Sequence, residues 1–169
     1  MRTFPLAIGA ALFTFLGGTL GADENAKRSP ELQVLDRFVG TWDAKVTVKR
    51  KRQPSQTIDA VSTRKWSRRG GVLVFEDSSE KELHMSMTFD AESKAYFGAM
   101  LSDANRGLVT ALWNEKTATM NFVVENVDGS FYRGQYHFVR EDYAEASGFI
   151  TDSKGNVVIN VEFTQTRRK

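Results

Sequence analysis

The chain contains no cysteine. That excludes a cysteine nucleophile, a thiolate metal site and a disulfide framework, and it excludes a lipoprotein, whose lipid would be carried by a cysteine at the cleavage site. Only two histidines occur, His84 and His137, so any imidazole chemistry must use one of them. Neither belongs to an H-x-H or H-E-x-x-H pattern, and no metal is expected. There is no G-x-S-x-G elbow and no strand-turn-helix context for one. Charge of one sign is also missing: 23 basic side chains face 21 acidic ones, too even a balance to concentrate a polyanion, so no nucleic-acid partner is expected. No repeat or linker divides the 169 residues, enough for one domain with its own core.

The N-terminus begins with a basic Arg2, an apolar run over 4–20 and the small pair Gly21-Ala22. This is the pattern of a signal peptide, 1–22, with an uncleaved anchor as its alternative. Cleavage leaves a domain, 23–169, that is exported, periplasmic or extracellular, with no stable membrane insertion. After a polar leader, Ser29-Pro30 reads as a helix N-cap and first helical residue, with Leu32, Leu35, Phe38 and Val39 at helical spacing.

From Trp42 the period changes to two. Trp42, Ala44, Val46 and Val48 alternate with Asp43, Lys45, Thr47 and Lys49, the pattern of a half-buried strand. Leu83, Met85, Met87 and Phe89 alternate with His84, Ser86, Thr88 and Asp90. Further strands are predicted over 56–66, 72–75, 94–102, 107–114, 118–125, 131–139, 143–150 and 156–166, joined by turn-forming stretches such as VDGS and TDSKGN. The connections are too short for crossover helices. About ten strands in an antiparallel meander predict an all-β, up-and-down barrel that removes its own edges, with a sandwich as the alternative.

The stretch LDRFVGTWDAKVTV leads a short helix into F-x-G-x-W, with Phe38, Gly40 and Trp42 in the pattern, and it resembles the opening of lipocalin-like, or calycin, barrels. The resemblance implies a barrel whose closed end is plugged by the helix and Trp42. The stretch KWSRRGGVLVFED, with Trp66, Gly70 and Gly71 before an apolar strand, is similar to an exported bacterial family, domain of unknown function 1579. That family has no established activity, so the resemblance implies a fold and ligand binding and no catalytic residue. The nitrobindin group of haem-binding barrels has a similar opening. This chain departs from it, with Asp43 after Trp42 and no histidine in the C-terminal strand, so no cofactor is expected.

Three functional readings follow. The first is a small hydrophobic or amphipathic ligand held in the lumen, lined by Met85, Met87, Phe97, Trp113 and Phe122 and touched by Gln135. The same side chains would serve equally as a filled core. The second is an isomerase or hydrolase using His137 as general base and Arg133 as oxyanion partner, which requires the row Arg133, Gln135, His137 to face the lumen. Its alternative is a polar outer face, the reading given also to His84. The third is an envelope-interaction protein with a filled core and a basic rim, built from Lys49 to Arg52, Arg64-Lys65 and Arg68-Arg69. Oligomeric state is left open.

Overall fold

The structure, a computed structural model, describes residues 28–77, 83–102 and 106–169. The segment read as a signal peptide, 1–22, lies outside the described residues.

The first element, α1 (Pro30–Asp36), starts where the Ser29 hydroxyl accepts the Leu32 N–H at 3.3 Å, with Pro30 in the first helical position. It ends after seven residues. The Phe38 N–H bonds back to Leu35 O, and the chain then turns through Gly40, whose φ of +121° is closed to residues with a Cβ. The predicted helical face continues past the helix itself: Phe38 lies in the turn that follows, and its ring still points into the core.

Ten strands follow: β1 (Gly40–Arg50), β2 (Gln56–Trp66), β3 (Leu73–Asp77), β4 (Leu83–Asp90), β5 (Ala95–Ser102), β6 (Arg106–Asn114), β7 (Thr119–Asn126), β8 (Phe131–Arg140), β9 (Tyr143–Thr151) and β10 (Val157–Arg167). Each pairs antiparallel with its sequence neighbours, and β1 closes on β10 from Trp42 opposite Arg167 to Arg50 opposite Ile159. The described residues therefore form a closed up-and-down barrel without free edges.

Alternation assigns the two faces. One run of lateral neighbours, Arg64, Phe75, Met85 and Met100, points inward. Another, Phe97 between Thr88 and Thr110, points outward. The closed end is filled by Leu35, Phe38, Trp42, Leu73, Phe75, Met87, Tyr96, Met120 and Phe138. Phe38 sits at its centre, with ring centroids 4.8 Å from Phe138, 5.0 Å from Tyr136 and 5.9 Å from Phe75.

Two tryptophans fix the helix to this plug. Trp42 Nε1 donates to Phe38 O at 2.9 Å, and Trp66 Nε1 donates to Asp36 Oδ1 at 2.7 Å. Between β2 and β3 a tight turn carries Gly70 (φ +68°) and Gly71, closed by the Ser67 N–H on Val72 O at 2.7 Å.

The basic clusters do not gather in one rim. Lys49 to Arg52 lies where β1 leaves the mouth, and Arg68-Arg69 lies in the turn beside the helix at the opposite end. Arg64 belongs to neither group, because it shares the inward face of β2 with Ala60 and Ser62.

Candidate functional site

The inward face of the barrel changes character along its length. Near the plug it is closed, with Trp42, Leu73, Met87 and Met120 at 0% exposure. Nearer the mouth, inward-facing Val46, Val48, Met85, Met100, Ile150, Ile159, Val161 and Phe163 are only partly buried. Solvent thus reaches apolar side chains, hydrocarbon and thioether, on the inward face of the mouth half.

Between this mouth half and the plug, on the inward face of β2, lies Arg64, 4% exposed. Its Nη1 donates to Tyr136 Oη at 3.0 Å, its Nη2 donates to Gln165 Oε1, and its Nε donates to Ser62 Oγ at 3.3 Å. Its guanidinium carbon lies 5.3 Å from the Trp42 ring centroid and 5.4 Å from those of Phe75 and Tyr136. Among the described residues no carboxylate comes within ion-pair distance of it. The described strands put one acid on the inward face, Asp77, which pairs beside Ser62 one position nearer the mouth. A guanidinium buried among neutral acceptors and aromatic faces carries a desolvation cost that these contacts offset without an opposite charge paired to it.

Two tyrosines complete the wall. Tyr136 donates from its hydroxyl to Gln165 Oε1 at 2.7 Å, and burial pushes its ionisation upward while the neighbouring Arg64 charge pulls the other way. Tyr132 lies over a bare patch made by Gly134 and Gly148. A Cβ on Gly134 would stand 2.2 Å from the Tyr132 oxygen, and one on Gly148 would stand 2.7 Å from ring carbon Cε2. Burial pushes the Tyr132 phenol up to about 12.

The residues singled out from the sequence divide between these regions. Met85 is on the inward face, partly buried and packed against the plug. Met87 is sealed in the plug. Phe122 meets Phe38 edge-on at 6.5 Å, and Trp113 donates to Glu115 Oε2 at 2.5 Å under the Arg37 guanidinium, so it seals the helix side of the closed end.

Phe97 is 40% exposed and stands outside the barrel. The reason is register: Tyr96, its neighbour, takes the inward place opposite Phe89 and Ala111. Arg133, Gln135 and His137 are likewise exposed on the outer face of β8, because Tyr132, Tyr136 and Phe138 take the inward positions. Gln135 and His137 border an open surface depression of about 510 Å³ together with Lys45, Glu145 and Glu162. The lumen-facing row required for acid–base chemistry with His137 and Arg133 is not assembled, and Gln135 stands outside the barrel. His84 is exposed on the outer face, as its alternation indicated.

Arg64 was grouped with surface charge by its neighbour Lys65. The signal that identifies it is the alternation Ala60, Ser62, Arg64, Trp66 against Val61, Thr63, Lys65, which puts the arginine on the tryptophan's face.

No family model matches the chain, and no curated protein matches it in sequence. Solved structures do match. Rv2717c from M. tuberculosis superposes with a TM-score of 0.65 at 8% identity, covering 85% of this chain and 100% of that one. The S-type phycobiliprotein lyase CPES from Guillardia theta does so with a TM-score of 0.60 at 12% identity, covering 81% and 92%. A protein of unknown function of the DUF3598 family from Nostoc punctiforme gives 0.63 at 13% identity and covers 79% of this chain. This chain spans only 48% of that protein's length. At these identities the likeness shows the fold alone: a calycin-like barrel.

Proposed function

We propose that this chain is an exported barrel, related to domain of unknown function 1579, that binds one small apolar or amphipathic molecule in its lumen. The carrying observation is the row of inward, apolar and partly accessible side chains in the mouth half, above a fully packed plug. A barrel filled throughout would leave Met85, Met100, Val161 and Phe163 as inaccessible as Met87. Pockets that are mostly apolar with a few placed polar groups are the usual form of small-molecule sites, and methionines suit such a wall because they adapt to the occupant. Export rests on the pattern of residues 1–22, and the tie to the named family rests on the two short motifs around Trp42 and Trp66.

The test is a titration with diphenylhexatriene, a neutral apolar fluorophore. Wild type is expected to bind one equivalent. Val161→Trp, which fills the lumen opposite Gly148, should abolish that binding, and Asn160→Trp, on the outer face of the same strand, should leave it intact. Absence of binding by wild type, or equal binding by both variants, would overturn the proposal.

A further inference from the structure

We infer that the lumen's occupant carries an anionic group, a carboxylate or similar oxyanion, and that this end descends to Arg64, Tyr136 and Gln165 at the floor. The inference rests on the lumen-binding reading above and adds the chemical class of the ligand and its orientation.

The first argument is charge. Arg64 is 4% exposed and meets only neutral acceptors: Ser62 Oγ, Tyr136 Oη and Gln165 Oε1. A guanidinium has five N–H donors, and these three bonds leave two of them over, one on each terminal nitrogen. Burying a charge is tolerated when it is paired. Here the protein supplies hydrogen-bond acceptors and π faces, and the one acid on the described inward face, Asp77 beside Ser62, makes no ion pair with the guanidinium.

The second argument is polarity of the partners. Gln165 Oε1 is occupied by Arg64 and by the Tyr136 hydroxyl, so its amide is oriented with Oε1 toward the arginine. Its Nε2 makes no hydrogen bond among the described residues. The floor therefore presents donors, from the guanidinium and from the Gln165 amide, and its side-chain acceptors are already taken. Such a surface suits an oxyanion and not a cation or a neutral donor.

The third argument is placement. Arg64 lies between the plug and the mouth half, on the inward face of β2, whose start at Gln56 is at the mouth. Eight residue steps separate the two. At about 3.3 Å per residue and a strand tilt of about 40°, the floor lies roughly 20 Å below the mouth. Met85, Met100, Val161 and Phe163 line the intervening wall. A chain with one charged end fits this gradient in one direction only, charge down and hydrocarbon up.

The test compares decanoate with decan-1-ol, matched in chain and different in charge, by calorimetric titration of the mature protein at neutral pH, with Arg64→Gln and Arg64→Lys alongside. Each variant's melting curve establishes that it is folded. Wild type is expected to prefer decanoate by about tenfold or more, the range of one charge-assisted contact in a dry site. Arg64→Gln should erase the preference by lowering decanoate affinity alone, and Arg64→Lys, with charge but no planar fork, should retain part of it. Equal affinity of wild type for the two compounds overturns the inference and leaves lumen binding standing, as does a preference that survives in folded Arg64→Gln. Binding of neither compound overturns both. If Arg64→Gln fails to fold, the wild-type comparison alone decides.

Discussion

Tyr132 lies flat along the barrel wall against Gly148, so close that a single added methyl carbon on the glycine would stand 2.7 Å from ring carbon Cε2. The same ring covers Gly134 on the neighbouring strand, paired directly with Gly148. The two glycines thus make room for an aromatic side chain to lie against the wall, where it shields backbone that has no side chain of its own.

Gly148→Ala should therefore act on both stability and binding. The added carbon meets the Arg133 carbonyl at 2.6 Å as well as the ring, so backbone and Tyr132 must both shift. A loss of about 1–3 kcal/mol in urea denaturation is expected, the range for overpacking a tight site. Tyr132 displaced into the lumen should also weaken diphenylhexatriene binding. Unchanged stability with unchanged binding would contradict this placement of the ring.

The closed end is held by Arg167, whose guanidinium carbon lies 4.7 Å from the Trp42 ring centroid and whose Nη2 donates to Arg37 O at 2.6 Å. It joins the last strand to the turn after α1. Arg167→Met keeps most of the stem's packing and removes both contacts, so it should cost about 1–2 kcal/mol. Tryptophan fluorescence should report the change on thermal melting. A melt identical to wild type would mean the contact does not hold the plug.

Alkaline pH should unfold the protein through its phenols. Burial holds Tyr132 at about 12 and, aided by the charges of Glu31 and Glu115, holds Tyr96 at about 12, both above the ordinary 10.0. Raised folded-state values mean that the neutral phenol is the form the fold prefers. The stability they contribute is fully present below pH 10.0 and is lost as pH rises toward about 12. Tyrosinate absorbance should therefore appear at higher pH in the native protein than in urea, with unfolding following its rise. Coincident native and unfolded titrations would contradict the burial of these rings.

The outer row on β8 should be silent. Arg133, Gln135 and His137 are exposed, and substitutions at such positions usually lie within about 0.5 kcal/mol of wild type. The triple variant Arg133→Met, Gln135→Ala, His137→Gln should match wild type in melting temperature and in diphenylhexatriene affinity. Loss of lumen binding in that variant would contradict the assignment of faces.

The strand pattern was legible because its chemistry is local. Period-two alternation in Trp42 to Val48 and Leu83 to Phe89, together with turn residues such as Asp128-Gly129, located the strands, and short connections left antiparallel pairing as the answer. F-x-G-x-W announced the plug, since Gly40 alone can take φ +121° between two buried aromatics. The site was less legible where both faces of a strand look plausible. In Tyr96-Phe97 two aromatics are adjacent, and the inward one follows from the partner across the ladder and not from the residue type. On β8 the aromatic and polar faces were both candidates for the lumen, and closure of the barrel chose the aromatic one. Arg64 was hidden by Lys65 beside it, because a pair of basic residues near a strand end usually marks solvent, and only the barrel brings Gln165 and Tyr136 to it from strands distant in sequence.

The most direct test of lumen binding is an isotope-filtered NOE spectrum of the mature protein saturated with decanoate. Contacts from the alkyl chain to the methyl groups of Met85, Met100 and Val161 are expected, with none to Leu108, Leu112 or Val123, which form an exposed apolar surface on the outside of β6 and β7. Contacts confined to that outer surface, or none at all, would contradict the account.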